Sequence, residues 1–542
     1  MAASSRGASS APVPSPASSE IPRFGIPTEL SDRMSLAEQH DYLRRRLSRR
    51  SALRTGAAGA GTVLGAGLLG GSARATEPLG TPMLYAPSTG AVPGRRVAPF
   101  GRHLTFGSDP RTQMRISWQV PLPVRGPFVR VGLRPWELSR RIEAEVRHLH
   151  TPALSDSLPA VDQYYLHAAL DGLHPGTTYY YGVGHEGWDP AEPNHYGSLG
   201  TFRTAPRAAE AFTFTAFGDQ GISYDALAND QLILGQDPAF HLHAGDICYA
   251  DSYGQGSTAD RYDARLWDQF LNQNDAVASR VPWMVTTGNH DMEAWYSPDG
   301  YGGQLARWSL PPTGPDPRKA PGVYSFVYGN LGVVALDAND VSHEIPANRG
   351  YTEGRQTRWL DRELGRLRRT PGIDFIVVFH HHCAFSTTNA HASDGGVRDA
   401  WVRLFDKHQV DLAINGHNHV YERTDAIRGG RPGRKVPIGE HTDPVRDGLV
   451  YVTAGGGGAM LFSFPAPDSY EGHEKDVERV ETYHWTGYHQ KELDTVEWSR
   501  VRYTGHSFLS VRVRPGSRPE MRVSALAESG ERIDHFTVRR SR

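Results

Sequence analysis

Five short clusters of Asp, Asn, His and Tyr residues constrain the fold of this chain most, because each lies at or just past the end of a short apolar run. They are residues 218–221 (Gly-Asp-Gln-Gly), 243–251 (His-Ala-Gly-Asp-Ile-Cys-Tyr-Ala-Asp), 288–291 (Gly-Asn-His-Asp), 377–380 (Val-Val-Phe-His) and 416–419 (Gly-His-Asn-His). Open α/β sheets collect their ligands beyond the carboxyl ends of the strands, so the pattern predicts one shared site. Oxygen and imidazole donors of this kind suit iron, manganese or zinc better than a soft thiolate site would.

Two kinds of sequence pattern divide the chain beyond residue 100. Residues 104–204 contain short alternating segments separated by turn residues, which predicts an all-β sandwich. From Phe212 onwards, strand-like apolar runs alternate with helical patterns, the strongest being 353–369 with Leu360, Leu364 and Leu367 on one face. A second helix is predicted near 397–408, and alternating segments after about Ser507 predict strands that close the catalytic sheet.

The amino-terminal region resembles an export signal rather than a folded domain. Residues 1–43 are rich in Ser, Pro and Ala, and Arg49 and Arg50 precede an uncharged Gly/Ala/Leu run from 55 to 72 and a small-residue cleavage site at 73–75. The run is too short and too rich in glycine for a spanning helix, although an uncleaved anchor or an amphipathic helix is the alternative. We therefore predict a disordered start and a twin-arginine signal over 1–75, and a linker over 76–98.

This prediction has consequences for location and partners. The chain would use the twin-arginine export machinery of a bacterium and reach the cell envelope or the exterior, without stable membrane insertion after signal cleavage. The formal net charge of −2 gives no basic excess for binding nucleic acid. Two cysteines, Cys248 and Cys383, are too few for a disulfide framework, and free thiols are favoured over a single disulfide between them.

The clusters suit phosphate ester chemistry. Two cations about 3.5–4 Å apart neutralise the ester, lower the pKa of a bound water and align the attack. Asp246 can bridge two ions with its two oxygens, whereas Tyr249, three residues later, can reach only one of them. Serine-hydrolase, P-loop and dinucleotide-binding motifs do not occur in a suitable context.

The motif order Gly-Asp-x-Gly, Gly-Asp-x-x-Tyr, Gly-Asn-His, Val-x-x-His and Gly-His-x-His resembles the purple acid phosphatases of the calcineurin-like metallophosphoesterase superfamily. The resemblance implies an α/β (α+β) catalytic domain over 207–542, a four-layer β-sandwich flanked by helices. It also implies that residues 99–206 form a fibronectin-III-like all-β domain.

Carried over motif by motif, the resemblance implies a binuclear metal centre. The first metal, Fe(III), would be held by Asp219, Asp246, Tyr249 and His419, and the tyrosinate would give a visible colour. The second, a divalent Zn, Mn or Fe, would be held by Asp246, Asn289, His380 and His417. Among three consecutive histidines the Val-x-x-His spacing selects His380, which leaves His381 and His382 as neighbouring donors or core residues.

The implied activity is that of an exported acid phosphatase, in which a metal-bound hydroxide attacks small phosphomonoesters. His290, and more weakly His391, are the candidates for binding the phosphate or protonating the leaving oxygen. A phosphodiesterase on the same fold is the first alternative, and an inactive cell-surface binding module is the second. A third is the exported iron phosphatase type called alkaline phosphatase D, which uses a Cys ligand; Cys248 suggests it and Tyr249 argues against it. No pattern indicates an oligomeric state.

Overall fold

The structure, a computed structural model, describes residues 97–155, 157–192, 195, 198–256 and 262–541. The predicted signal and almost all of the predicted linker lie outside these residues. Within them, no helix has the length and apolar character needed to cross a bilayer.

The amino-terminal domain consists of two four-stranded sheets, with strand orders β1-β2-β6-β5 and β4-β3-β7-β8. Alternate side chains of these strands point into a core that includes Trp118, Leu166 and Val183. The all-β sandwich expected here is therefore present. Its strands are β1 (Phe100–Phe106), β2 (Met114–Val120), β3 (Phe128–Gly132), β4 (Arg140–Glu143), β5 (Glu145–Thr151), β6 (Val161–Leu170), β7 (Thr178–Gly184) and β8 (Gly200–Arg203).

The second domain contains the remaining strands. They are β9 (Phe212–Phe217), β10 (His241–His243), β11 (Trp283–Val285), β12 (Tyr324–Tyr328), β13 (Leu331–Ala335), β14 (Phe375–His380), β15 (Ser393–Asp394), β16 (Leu412–Asn415), β17 (Tyr421–Thr424), β18 (Ile427–Arg428), β19 (Arg431–Pro432), β20 (His441–Thr442), β21 (Tyr451–Ala454), β22 (Val480–Gly487), β23 (Gln490–Val496), β24 (Ser499–Tyr503), β25 (Ser507–Arg514), β26 (Glu520–Ala527) and β27 (Arg532–Arg539).

Its helices are fewer and mostly short. They are α1 (Tyr224–Gly235), α2 (Arg265–Ala278), α3 (Gly302–Arg307), α4 (Arg355–Arg369), α5 (Gly395–Val397) and α6 (Arg403–His408), with a π-helical turn at Arg398–Val402 and 3-10 turns at Asn289–Asp291, Ala338–Asp340 and Pro346–Asn348.

Two seven-stranded sheets form the centre of this domain. Their strand orders are β11-β10-β9-β25-β26-β27-β20 and β12-β13-β14-β16-β21-β17-β24, and smaller sheets join β15-β22-β23 and β18-β19. Strands β9, β10 and β11 are mutually parallel, and so are β13, β14, β16 and β21. Their carboxyl ends therefore lie along shared edges, where the five clusters follow them.

Three apolar clusters separate four layers. Phe214, Leu242, Val377 and Ile414 belong to one cluster that contains side chains of both large sheets. The outer face of the first sheet packs against α1 and α2, and the outer face of the second packs against α4 and the segment 397–405. This is the helix-flanked double sheet predicted from the sequence, and β25 to β27 extend the first sheet as expected.

A fully buried ion pair of the catalytic domain lies at its junction with the amino-terminal domain. Arg307 Nη1 donates to Glu293 Oε2 at 2.6 Å, and both side chains are inaccessible to solvent. The guanidinium also lies over the Trp267 ring, 4.0 Å from its centroid, and the Arg307 carbonyl accepts from His103 of β1 at 2.9 Å. The pair therefore fixes α3 between the amino-terminal sandwich and the catalytic domain.

Replacing Arg307 with Met should destabilise the protein by about 3–5 kcal/mol, because it leaves the Glu293 carboxylate buried without its partner. The free energy of unfolding in urea measures this. Arg366→Met is the control, since Arg366 pairs with Glu363 at the surface and should contribute less than about 1 kcal/mol. Equal effects of the two substitutions would contradict this account of the domain junction.

Candidate metal centre

The five clusters come together because their loops pack directly on one another. A Cβ atom on Gly288 would lie 2.1 Å from Asp246 Oδ1, and one on Gly245 would lie 2.6 Å from the Gly288 nitrogen. Gly245 also adopts a φ of 85°, which glycine tolerates without strain. Only glycine at these two positions lets the loops after β10 and β11 approach this closely.

Asp291 holds the same two loops together by hydrogen bonds. Its carboxylate accepts the backbone N–H groups of Asp246 at 2.9 Å, Ile247 at 3.2 Å and Gly288 at 2.8 Å. Asp291 lies within one of the five clusters, but the sequence alone predicts no role for it. Its position after Gly-Asn-His at a strand end was the available signal, since Asp commonly accepts from backbone N–H groups in turns.

One group of predicted site residues surrounds Asp219. The Tyr249 hydroxyl lies 3.2 Å from Asp219 Oδ1 and 2.8 Å from His419 Nε2, and that nitrogen is 3.4 Å from Asp219 Oδ1. An oxygen of Asp246 is also close enough to share a cation with Asp219 and His419. The four residues predicted for the first metal are therefore together.

A second group lies on the other side of Asp246. His381 Nε2 is 3.1 Å from Asp246 Oδ2, 3.1 Å from Asn289 Oδ1 and 3.2 Å from His417 Nδ1. Two imidazole nitrogens, an amide oxygen and a carboxylate oxygen thus converge. Asp246 belongs to both groups, as its predicted bridging position requires.

The structure does not bring His380, the residue predicted from the motif, into this group. His380 is the last residue of β14, and its ring packs against Trp401 and Phe405 on the helix side of the sheet. Successive strand residues point to opposite faces, and Val377 and Phe379 point into the core between the sheets. His381 continues that alternation and enters the cluster, and the same Val-x-x-His spacing counted from Val378 reaches His381.

The electrostatics of the cluster favour a bound cation. Burial would lower the pKa of His381, but the carboxylates of Asp246 and Asp219 raise it to about 9. Asp219 Oδ2 is buried and forms no hydrogen bond within the described part of the chain. Buried carboxylates need a compensating positive charge, and oxygen and imidazole donors fit iron, zinc or manganese.

Tyr249 imposes a stricter condition on the cation. Burial, followed by the negative charges of Asp219 and Asp246, raises the pKa of Tyr249 well above its usual value. A phenolate at this position therefore requires a strongly acidic cation beside it, as a ferric ion is.

His290 and His391 both line a cleft of about 460 Å³ whose wall includes Asp246, Asn289, His417 and His419. His290 Nδ1 lies 2.6 Å from the Asp251 carbonyl oxygen, and its Nε2 is 4.0 Å from Asp246 Oδ2. The His391 ring centroid is 4.1 Å from that of His417. Both candidate acids are thus at the cluster.

Glu344 is a site residue that the sequence analysis missed. Its Oε1 is 2.6 Å from His391 Nδ1, and its Oε2 is 3.0 Å from His417 Nε2. It lies in the irregular segment after β13, which carries no periodicity or motif, so no sequence signal identified it.

The two cysteines are buried free thiols, and neither belongs to the candidate metal-binding groups found among the described residues. The Cys383 thiol donates to the Gly416 carbonyl at 3.0 Å. The absence of a disulfide agrees with the favoured prediction, and Cys248 does not occupy a ligand position.

Four of the predicted site residues have a left-handed backbone. The φ values are 60° for Asp219, 52° for Asp246, 59° for Tyr249 and 68° for His417. Non-glycine residues in this region cost of order 1–3 kcal/mol each and persist only where the surroundings enforce them. The direction of these four side chains is therefore maintained at a cost in folding stability.

His381→Ala should lower the metal retained after dialysis from two equivalents towards one, because it removes an imidazole from the second group. His380→Ala should keep both equivalents and cost about 1–3 kcal/mol of stability through the cavity left beside Trp401. Elemental analysis of the two purified variants, beside the unmutated protein, gives the comparison. Loss of metal from the His380 variant alone would identify His380, and not His381, as the ligand.

Comparisons with known proteins agree with this geometry. Residues 99–204 match the family model "Purple acid Phosphatase, N-terminal domain", and residues 212–421 match "Calcineurin-like phosphoesterase". The uncharacterised protein Rv2577 of Mycobacterium tuberculosis is 34% identical over 77% of this chain and 81% of its own length. Purple acid phosphatase 22 of Arabidopsis thaliana is 30% identical over 56% of this chain and 61% of its own.

The same fold occurs in a solved structure. Purple acid phosphatase PPD1 from yellow lupin seeds superposes with a TM-score of 0.62 at 20% identity, covering 82% of this chain and 75% of that one. Together with the family models and relatives, this shows that the chain belongs to the purple acid phosphatase family of metal-dependent phosphoesterases.

Proposed function

We propose that this protein is an exported phosphatase that hydrolyses small phosphomonoesters with Fe(III) and a divalent ion bound in the candidate metal centre. The observation that carries the proposal is the convergence of six side chains on a seventh, that of Asp246, with five of the seven lining one cleft. They are Asp219, Asp246, Tyr249, Asn289, His381, His417 and His419.

The two halves of the centre differ in charge. Asp219, Asp246 and the Tyr249 phenolate would give the first half three anionic oxygens, which suits a trivalent ion. Asn289 is a neutral donor, and His381 and His417 are neutral once they lose a proton to bind a metal, so the second half suits a divalent ion. When bound, two such ions neutralise the phosphate and lower the pKa of a water.

The side chains around the ions orient the ester and move protons. The Asp251 carbonyl holds His290 by Nδ1, and Glu344 holds His391 by Nδ1, so neither ring is free to rotate. In their protonated forms these imidazoles donate to phosphate oxygens or to the oxygen of the departing alcohol. Both lie in the cleft, within reach of an ester held there.

Aryl phosphates test the reaction directly. We expect the iron- and zinc-loaded protein to hydrolyse an aryl phosphate, to lose this activity after chelation, and to regain it when both metals return. A bis-aryl phosphate should be a much poorer substrate. Preference for the diester would favour a phosphodiesterase, and no turnover of either ester by fully metallated protein would refute the proposal.

A visible absorption band tests the tyrosinate assignment. The iron-loaded protein should be coloured through charge transfer from Tyr249, and Tyr249→Phe should abolish the band with the circular dichroism spectrum unchanged. Tyr253→Phe is the matched control, because Tyr253 is 62% exposed and lies outside both groups. A band that survives in the Tyr249 variant would assign the colour to another donor.

Export rests on the sequence at residues 48–75, since this segment lies outside the described residues. Replacing Arg49 and Arg50 with Lys should leave the protein in the bacterial cytoplasm, because the twin-arginine machinery recognises the arginine pair. Replacing Arg44 and Arg45 with Lys is the control. Cell fractionation with immunoblotting measures both, and unchanged export of the first variant would contradict the signal assignment.

A further inference from the structure

The cleft has one apolar side, formed by Ile222, Met460 and Phe462, which we call the apolar rim. Met460 is 78% exposed and Ile222 is 38% exposed, although both lie beside the candidate metal centre. Exposed apolar side chains at the mouth of a polar site mark a surface that a ligand covers.

The apolar rim has a fixed position relative to the candidate ligands. His419 Nδ1 donates to the Met460 carbonyl at 2.5 Å, and the Phe462 ring stacks on the His419 ring with centroids 4.1 Å apart. The Ser223 hydroxyl, next to Ile222, donates to the Gly458 carbonyl at 2.8 Å. Both segments of the rim are therefore tied together and to a predicted ligand.

Phe462 places the apolar rim close to where the departing alcohol would lie. Its ring centroid is 5.1 Å from that of His391, the candidate donor to the leaving oxygen. Among the described residues that line the cleft there is no Lys or Arg to bind a second anionic group.

We propose that the apolar rim binds the alcohol part of the ester, and that the preferred substrates are phosphomonoesters of apolar alcohols or phenols with no second negative charge. This rests on the proposed phosphatase function and deepens it. Burying apolar surface contributes roughly 25 cal/mol per Å², which favours longer and more apolar leaving groups.

Ethyl, butyl and hexyl phosphate separate chain length from reactivity, because their leaving groups have similar basicity. We expect kcat/KM to rise about two- to fourfold for each methylene that contacts the rim. The hexyl ester carrying a terminal carboxylate should be at least about tenfold poorer than hexyl phosphate.

Met460→Ser should flatten the dependence on chain length, since it removes the exposed thioether but retains the carbonyl that His419 contacts. Leu493→Ser, at a side chain that is 92% exposed outside the cleft, is the control and should keep the full dependence. Equal kcat/KM across the alkyl series would overturn the inference while leaving the phosphatase function intact. No hydrolysis of any ester would instead be a failure of the function itself.

A second, independent inference concerns Glu344, which is 7% exposed and contacts two imidazoles at once. His417 directs Nδ1 towards His381 in the second half of the centre and contacts Glu344 through Nε2. Metal-binding histidines commonly donate their other N–H to a carboxylate, which fixes the ring and raises the basicity of the ligand. The other Glu344 oxygen holds His391.

The Glu344 backbone is itself held in place. Its N–H donates to Asp394 Oδ2 at 3.2 Å, and the Ser342 hydroxyl donates to the same oxygen at 2.7 Å. Asp394 lies three residues after His391 in the chain. The segment that carries His391 therefore also holds the backbone of Glu344, the residue whose carboxylate contacts His391.

We infer that Glu344 is a positioning residue that aligns His417 for the second metal and His391 for the leaving group. This rests on the proposed function, but metal affinity tests it without turnover. Gln has a single acceptor oxygen, so Glu344→Gln can satisfy only one of the two imidazole N–H groups.

The expected result is a Kd for Zn²⁺ in the iron-loaded protein that is about 10–100-fold higher in Glu344→Gln, with the visible band unchanged. Glu481→Gln, at an exposed position, is the control. Glu344→Gln should also reduce kcat less in a His391→Ala background than alone. An unchanged Kd, or additive effects on kcat, would overturn the positioning role.

Discussion

The catalytic domain depends on the sharing of one buried carboxylate, that of Asp246, by two groups of polar side chains. Burial acts to raise the pKa of Asp246, but the neighbouring charges of His381 and His290 lower it, so the carboxylate stays ionised. The loops that meet here can do so only because Gly245 and Gly288 lack side chains and Asp291 holds three backbone N–H groups. The apolar core between the two sheets offsets the stability lost by crowding these charges together.

The amino-terminal domain contributes to this arrangement through packing rather than through ligands. Its strands contact α2 and α3. Arg307 of α3 is held within the catalytic domain by Glu293 and the Trp267 ring, and its backbone carbonyl contacts His103 of β1. Glu293, its partner, lies two residues after Asp291. The junction therefore supports the loop after β11 that carries Asn289 and His290, and the sandwich is a structural part of the enzyme.

Much of the site could be predicted from the sequence, since its residues occupy the ends of parallel strands and those ends coincide in space. Leu360, Leu364 and Leu367 likewise identified a helix, because the 3.6-residue period gives them one buried face. The histidines after β14 show what a motif omits: the Val-x-x-His spacing fits His380 from Val377 and His381 from Val378, and only the face of the strand distinguishes the two. Glu344 could not be predicted for a different reason. Its segment is irregular, and only tertiary contacts bring its carboxylate to His391 and His417.

The left-handed backbone at Asp219, Asp246, Tyr249 and His417 has a consequence for how such sequences diverge. Glycine adopts positive φ without this strain, so each of these side chains is kept at a cost in backbone conformation. The strain is greatest at Tyr249, since a bulky aromatic residue tolerates positive φ less well than Asp or His does. In a lineage released from selection at this cluster, Tyr249 would therefore be the first of the four residues to be replaced.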